Sequence, residues 1–384
     1  MLKIVTIAGA RPQFIKAAAI NRAFRTQFAG QVKELIVHTG QHYDHNMSDV
    51  FFEELGIEQP AYKLGVGSSS HGRQTGEMIA AIEEVLVAEK PDAMIIYGDT
   101  NSTLAGAIAA SKIHVPVAHI EAGLRSFNKK MPEEINRILA DHASTFLFCP
   151  TETGYNNLIN EGFPSGNDGP YHLDNPKVYQ CGDIMYDNSL FFAKQAENFH
   201  PNLLAKYNLS PNNYILATIH RNTNTDDPAR LNGIFKALLK VSEQWKLPVI
   251  LPLHPRTAKM LDSSLEDDLF KQIQESSLIR IIPPASFLEV TLLESQARII
   301  VTDSGGVQKE AYFFKKPGVV LRHETEWTEL ITQGTCLLAD ADTDKIVFSV
   351  NTLLNKTDLQ FPSLFGDGNA AGFICGELIK QLKK

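Results

Sequence analysis

"AMIIYGDTNSTLAGAIAA", Ala93 to Ala110, holds a strand, a turn and a helix. The first five residues are apolar without alternation, as in a strand covered on both faces. Gly98 makes the turn and Asp99 stands where the strand ends. Thr100 and Ser102 offer side-chain oxygens to cap the small-residue helix that follows. The same order repeats on either side. "LKIVTIA", "ELIVH", "VPVAHI" and "TFLFC" form one set of apolar runs, and "NYILATI", "LPVILPL", "LIRII", "RIIVT" and "PGVVL" form a second. Helical patterns lie between them, such as "RPQFIKAAAINRAFRTQF". Pro12 suits its first turn, and Ile20, Phe24 and Phe28 recur every four residues. Strands alternating with helices imply parallel α/β sheets of the doubly wound type.

The chain has 384 residues, about right for two domains. The segment "GFPSGNDGPYHLDNP" (162–176) is rich in turn formers, lacks periodicity and reads as the boundary. The expected division is a Rossmann-like first domain over 1–170, a second over 171–364, and a final helix in 365–384 packed back on the first. Two such domains facing a cleft would bring the carboxyl ends of both sheets to it, where open α/β folds bind ligands.

Composition narrows the function. Hydrophobic residues make up 43% and charged ones 21%, as in a soluble globular protein. The formal charge of −8 argues against broad binding to nucleic acid or membrane surfaces. No apolar run reaches the ~18 residues of a membrane helix. "MLKIVTIAGARPQFIK" is too short in its apolar part for a secretion signal. Cys149, Cys181, Cys336 and Cys375 are scattered without a CxxC pair, as for buried free thiols in a reducing cytoplasm.

Candidate site residues stand at strand ends. After the first strand, Arg11 and Lys16 flank a helix start, a setting that suits a diphosphate. Alone, the pattern equally describes surface cations. Asp99 is a helix cap or an acid–base group. Glu121 follows "VPVAHI" directly, and Glu133 follows Pro132 at a helix start, whereas Glu134 faces ~100° away and suits pairing with Arg137. His220 and Arg221 follow "ILATI", and His254 and Arg256 occupy a similar corner. In "RIIVTDSGGVQKEAYFF", a strand ends at Asp303, and Ser304, Gly305 and Gly306 free backbone N–H groups to approach an anion. Glu310, on the following helix, can accept two hydrogen bonds from a vicinal diol such as a ribose. His38, His42 and His45 lack a carboxylate or cysteine set to close a metal site. The dinucleotide, Walker and nucleophile-elbow motifs are absent. Neither metal nor cofactor is expected.

"GARPQFIK", "HTGQH", "YGDTNST", "HIEAGLRS", "PEEINR", "IHR", "TDSGGVQKEA" and "GDGNAA" occur in order over nearly the whole chain. Together they closely resemble the non-hydrolysing UDP-N-acetylglucosamine 2-epimerases of bacterial envelope and capsule synthesis. The resemblance implies two Rossmann-like domains as in GT-B glycosyltransferases, a cytoplasmic homodimer and a UDP-sugar substrate. By position it gives Arg11, Lys16 and His220 to the phosphates, Ser304, Gly305 and Gly306 to the diphosphate, and Glu310 to the ribose. His220 joins Asp99, Glu121 and Glu133 among the expected catalytic residues, the three carboxylates for proton transfer. The family expels UDP, forms an unsaturated 2-acetamido sugar, and re-adds UDP with a proton on the other face of C2. An oxidative route would need a nicotinamide site, and no fingerprint for one is present.

Some positions depart from the family pattern. Ala10 and Gln13 stand in the usual G-T-R-P-E, and Trp327 and Thr328 stand in the usual T-E-R-P-E. The Glu121–Glu133 interval is about two residues shorter and carries Lys129 and Lys130. These departures resemble the branch acting on UDP-2,3-diacetamido-2,3-dideoxyglucuronic acid. A uronate needs a cation near C6, from Arg125, Lys129 or Lys130. UDP-N-acetylglucosamine itself stays open, as does a GT-B glycosyltransferase using a UDP-sugar donor.

Overall fold

The computed structural model describes residues 1–41, 49–253, 261 and 263–383. They form two compact units, Met1–Asn188 with Ser363–Lys384, and Ser189–Pro362. The first holds seven parallel strands: β1 (Leu2–Ala8), β2 (Val32–His38), β3 (Tyr62–Lys63), β4 (Ala93–Tyr97), β5 (Val117–Ile120), β6 (Phe146–Cys149) and β7 (Lys177–Gln180). Their order is β3-β2-β1-β4-β5-β6-β7. The second unit holds β8 (Ile215–Thr218), β9 (Val249–Pro252), β10 (Ile279–Ile282), β11 (Ile299–Thr302), β12 (Gly318–Val320) and β13 (Cys336–Leu338). These are also parallel, in the order β10-β9-β8-β11-β12-β13. Both are doubly wound sheets, as the sequence implied.

Uniformly apolar strands follow from having helices on both faces. Met94 and Ile96 of β4 enter one cluster with Val5, Ile82 and Ala109. Ile95 and Tyr97 enter another with Ile4, Ile20 and Phe24. All of these are under 5% exposed. Burying each aliphatic side chain of that size contributes ~1.5–3 kcal/mol.

The second cluster also takes in Ala371, Ile374, Cys375 and Leu378 of the helix Ala370–Leu382. The turn-rich segment 162–176 lies within the first unit, ahead of β7, and not at its end as the 170/171 division had it. β7 pairs with β6 from Phe146↔Lys177 to Cys149↔Gln180. It is an edge strand, only partly buried, and so lacks the apolar run of the inner strands.

The order of each sheet reverses once, between β1 and β4 in the first unit and between β8 and β11 in the second. The loops leaving two adjacent strands diverge there and leave room for a ligand. The four loops at these points carry Gly9–Arg11, Gly98–Thr100, Ile219–Arg221 and Asp303–Gly306.

Asp187 fastens the Ala370–Leu382 helix. Its carboxylate accepts from the N–H groups of Ala370 (3.1 Å) and Ala371 (2.8 Å). Burial pushes the carboxyl up to about 6, against the pull of those two donors. A raised folded-state value gives stability that is full below the ordinary value of 3.8 and is lost as pH rises through about 6. Wild type should therefore lose about 1–3 kcal/mol relative to Asp187→Asn between pH ~4 and ~7. Urea unfolding across that range reads the difference, and a constant gap would refute the titration.

Candidate active site

The β1 and β4 corners are joined by Gln13. Its Oε1 accepts from the N–H groups of Gly9 (2.8 Å) and Ala10 (3.2 Å). Its Nε2 donates to the Tyr97 carbonyl (2.9 Å) and Thr103 Oγ1 (3.0 Å). The amide serves both sides, whereas a glutamate here would have no donor for Tyr97. Thr100 caps the Asn101–Lys112 helix through the Thr103 N–H. Ser102, also expected to cap, is instead buried and donates to Gln41 Oε1 (2.7 Å).

Lys16, on the second turn of the Arg11–Thr26 helix, ion-pairs with Glu121. Gly98 lies against this pair. A Cβ there would sit 3.2 Å from Glu121 Oε2 and 3.3 Å from Lys16 Nζ, and φ is +62°. Only glycine meets both demands without strain. Glu121 itself has φ +72°, which a non-glycine residue holds at a cost of ~1–3 kcal/mol. The N–H groups of Glu121 and Ala122 both donate to the Phe148 carbonyl (3.1 Å each), fixing that conformation. Strain held in place this way is common where a side chain must be aimed.

Asp99 Oδ2 accepts from Arg137 Nη2 (2.6 Å), and Arg137 Nη1 donates to Glu134 Oε2 (2.9 Å). Glu134 is 1% exposed and accepts the N–H groups of Ser126 and Phe127 (2.9 Å each). Burial raises its carboxyl, but these donors and Arg137 prevail and hold it below the ordinary range. Glu134 thus organises the loop. Glu133 is exposed on the first turn of the Pro132–His142 helix and, among the described residues, makes no side-chain hydrogen bond. Arg11 is half-buried at its helix start.

Behind Glu121 lies a charge network with a buried centre, His119, Asp141 and the Arg125 side chain, and an exposed rim at Glu161. His119 Nδ1 is 2.7 Å from Asp141 Oδ1, and its Nε2 is 2.7 Å from the Gly98 carbonyl oxygen. Arg125 donates to Asp141 Oδ2 (2.7 Å) and meets both oxygens of Glu161 (2.7 Å each). The Arg125 side chain is 1% exposed. It is committed to these carboxylates, so the expectation that it could serve a uronate does not hold. Lys129 and Lys130 are exposed.

In the second unit, Asp303 is fully buried at the end of β11. It accepts from the N–H groups of His220 and Arg221 and from Asn224 Nδ2 (3.1 Å each). His220 Nδ1 lies 2.8 Å from Asp303 Oδ1. Burial raises the Asp303 carboxyl, but His220 and the other donors outweigh it and leave it below the ordinary value. The ring is thereby oriented with Nε2 away from Asp303. Ser304 caps the helix Gly305–Phe313, whose first turn carries Gly306 exposed. Arg322 pairs with Glu326 (2.8 Å) beside Gly305. Lys309 Nζ lies 4.2 Å from the ring centroid of Trp327, one of the positions departing from the family pattern. Glu294 is 1% exposed, and its carboxyl is raised well above the ordinary range by burial and by Glu310.

His38 accepts from the Gly40 N–H through Nδ1 (3.0 Å) and meets the Phe14 ring edge-on. His42, His45, His254 and Arg256 lie outside the described residues. Among the described residues no three His, Cys, Asp or Glu side chains form a group able to hold a metal. The cysteines are free, with Cys181 half-buried and the others buried.

A family model described as UDP-N-acetylglucosamine 2-epimerase matches residues 25–379. The chain belongs to this epimerase family. The UDP-2,3-diacetamido-2,3-dideoxy-D-glucuronate 2-epimerase of Pseudomonas aeruginosa is 48% identical over 379 residues, covering 99% of this chain and 100% of that protein. The UDP-N-acetylglucosamine 2-epimerase of Methanocaldococcus jannaschii is 41% identical over 371 residues, 96% of each chain. A crystal structure of the M. jannaschii epimerase in complex with UDP-GlcNAc and UDP is similar at a TM-score of 0.81. It is 40% identical, with 99% of this chain and 100% of that one covered. That protein binds a UDP-sugar.

Within the epimerase frame, His119, Asp141 and Glu294 are groups to which the sequence motifs gave no role. The one available signal was a histidine inside the apolar run "VPVAHI", since a buried polar ring needs partners.

Proposed function

We propose that the protein interconverts the C2 epimers of a UDP-2-acetamido sugar by elimination and re-addition of UDP. The observation that carries this is the convergence of Lys16, the Gly98–Asp99 turn and the strained Glu121 at one sheet's switch point. Carboxylates packed with a lysine and an arginine suit proton transfer at carbon. A family match over residues 25–379 supports the reaction class.

The hydrogen on C2 of the sugar has no adjacent carbonyl, so its removal must be coupled to loss of a leaving group. A carboxylate takes that proton, the C2 electron pair forms the C1–C2 double bond, and the C1–O bond breaks with its electrons going to UDP. Re-addition reverses each step, with the proton placed on the opposite face of C2. Glu121, Asp99 and Glu133 are assigned the proton transfers, each acid–base group contributing ~10²–10⁴-fold. The N–H groups at Ser304, Gly305 and Gly306, together with His220, are assigned the diphosphate, where helix-start donors stabilise the charge of departing UDP. Glu310 takes the ribose, and Arg11 and Lys16 the phosphates. Lys16 can pass from Glu121 to a phosphate, which ties the state of the carboxylate to the leaving group.

Within that class we favour the 2,3-diacetamido uronate, on the 48% identity with the P. aeruginosa enzyme. Lys129 and Lys130 are the cations of the short loop left for its carboxylate. The glycosyltransferase alternative is not favoured, because these relatives are epimerases. The reading includes a cytoplasmic homodimer. Among the described residues no helix is long and apolar enough to cross a membrane.

The test is incubation in heavy water with each UDP-sugar and no acceptor. The expected result is deuterium at C2 in a mixture of both epimers. A recovered UDP-sugar without label would remove the epimerase reading, and free sugar accumulating with UDP would replace it with hydrolysis.

A further inference from the structure

His119 is fully buried, yet neither the sequence motifs nor the proposed reaction gives it a task. Both of its ring nitrogens face acceptors. The Gly98 carbonyl oxygen, 2.7 Å from Nε2, has no hydrogen to give. Asp141 Oδ1, 2.7 Å from Nδ1, belongs to a carboxylate whose other oxygen takes the Gly123 N–H (3.2 Å) and Arg125 (2.7 Å). Burial would raise the Asp141 carboxyl, but His119 and Arg125 overcome this and hold it below the ordinary value. A neutral imidazole keeps one lone pair. Here that lone pair would point at an oxygen lone pair in a dry interior, where an unmade hydrogen bond costs ~1–3 kcal/mol.

The buried centre is His119, Asp141 and the Arg125 side chain, while Glu161 is exposed on the far side of Arg125 and lies 3.7 Å from His142 Nε2. Asp141 reaches the ring from the Pro132–His142 helix, and Arg125 and Glu161 lie behind Asp141. From β6, Cys149 is near enough to Asp141 to feel its charge, and burial first of all keeps that thiol protonated.

We propose that His119 is a positioning residue: a doubly donating imidazolium that holds the Gly98 carbonyl and so aims Asp99 relative to Glu121. The assignment of what it aims rests on the epimerase reading. Gly98 is pinned to β5 from both sides. Its N–H donates to the Ile120 carbonyl (3.0 Å) and its carbonyl accepts from His119. Its Cα side faces Glu121 Oε2 and Lys16 Nζ. Releasing the carbonyl frees the turn that carries Asp99. Displacement of a reacting group by ~1 Å can cost ~10²-fold in rate.

Nitrogen NMR of histidine-labelled wild type at about pH 7.5 should show one slowly exchanging ring with a proton on each nitrogen, lost in His119→Asn. A slowly exchanging buried ring with one bare nitrogen would overturn the proposal, even if the variant failed to fold. In folded His119→Asn, kcat should fall ~100-fold while KM and UDP affinity stay within about threefold. Wild-type kcat in that variant, or a rise in KM alone, would also overturn it. If wild type turns over none of the UDP-sugars, the epimerase reading fails, and the NMR signature still judges the ring on its own.

Discussion

Glu121→Gln lowers kcat by ~10²–10⁴-fold and leaves UDP affinity within about threefold, and Asp99→Asn and Glu133→Gln follow in that order of effect. The amides keep shape and remove the ability to take a proton. The ranking comes from how firmly each carboxylate is held. Glu121 is fixed by an unusual backbone conformation, two N–H groups on the Phe148 carbonyl, and Lys16. Asp99 has one arginine, Arg137, and a side chain 31% exposed. Glu133 is exposed and has only its helix start. Rapid-quench or steady-state rates, set beside calorimetric titration with UDP, separate turnover from binding. Wild-type turnover in all three variants would remove the acid–base assignment.

Gly123→Ala destabilises the first unit by about 3–5 kcal/mol, a loss in thermal midpoint of roughly 10 °C. Gly123 has φ +78°, and a Cβ there would lie 2.2 Å from the Gly154 carbonyl oxygen and 2.7 Å from its carbon. Both are backbone atoms at the start of the Glu152–Asn160 helix, so no side-chain rotation relieves the overlap. The same residue donates to Asp141 and accepts from Asn157 Nδ2 (3.0 Å), so displacing it also disturbs the network behind Glu121. Gly72→Ala is the control, since nothing lies within 4 Å of its Cβ position. Calorimetry of the two variants checks the claim, and a Gly123→Ala midpoint within about 2 °C of wild type would refute it.

What could be read from the sequence, and what could not, divides along the sheet. Inner strands such as β4 and β11 are covered on both faces and appear as unbroken apolar runs. β3, β7 and β13 were not recognised, and each is an edge. An edge strand packs on one side only, so it need not be apolar throughout, and two of these span only two or three residues. The domain division shifted for the same reason, because β7 follows the segment taken for a linker.

The site shows a similar split. Asp99, Glu121, His220 and Ser304 stand immediately after apolar runs, where a parallel sheet delivers its chain to a ligand. Their supports are remote in sequence. Gln13 reaches Thr103 90 positions away, and Asp303 reaches the His220 N–H across 83. No local pattern announces such contacts. Arg125 shows the cost of reading charge without partners: it looked available in the sequence, and Asp141 and Glu161 occupy it.

The Ala370–Leu382 helix has a temporal consequence. It completes the hydrophobic layer over Ile4, Ile20 and Phe24, strands and helices made some 350 residues earlier. Chains emerge from the ribosome at ~5–20 residues per second, and domains generally mature as units. The second unit, a continuous stretch, is free to finish first. The first must wait for the segment that closes it, and during that interval the apolar flank over Ile4, Ile20 and Phe24 stays bare to solvent.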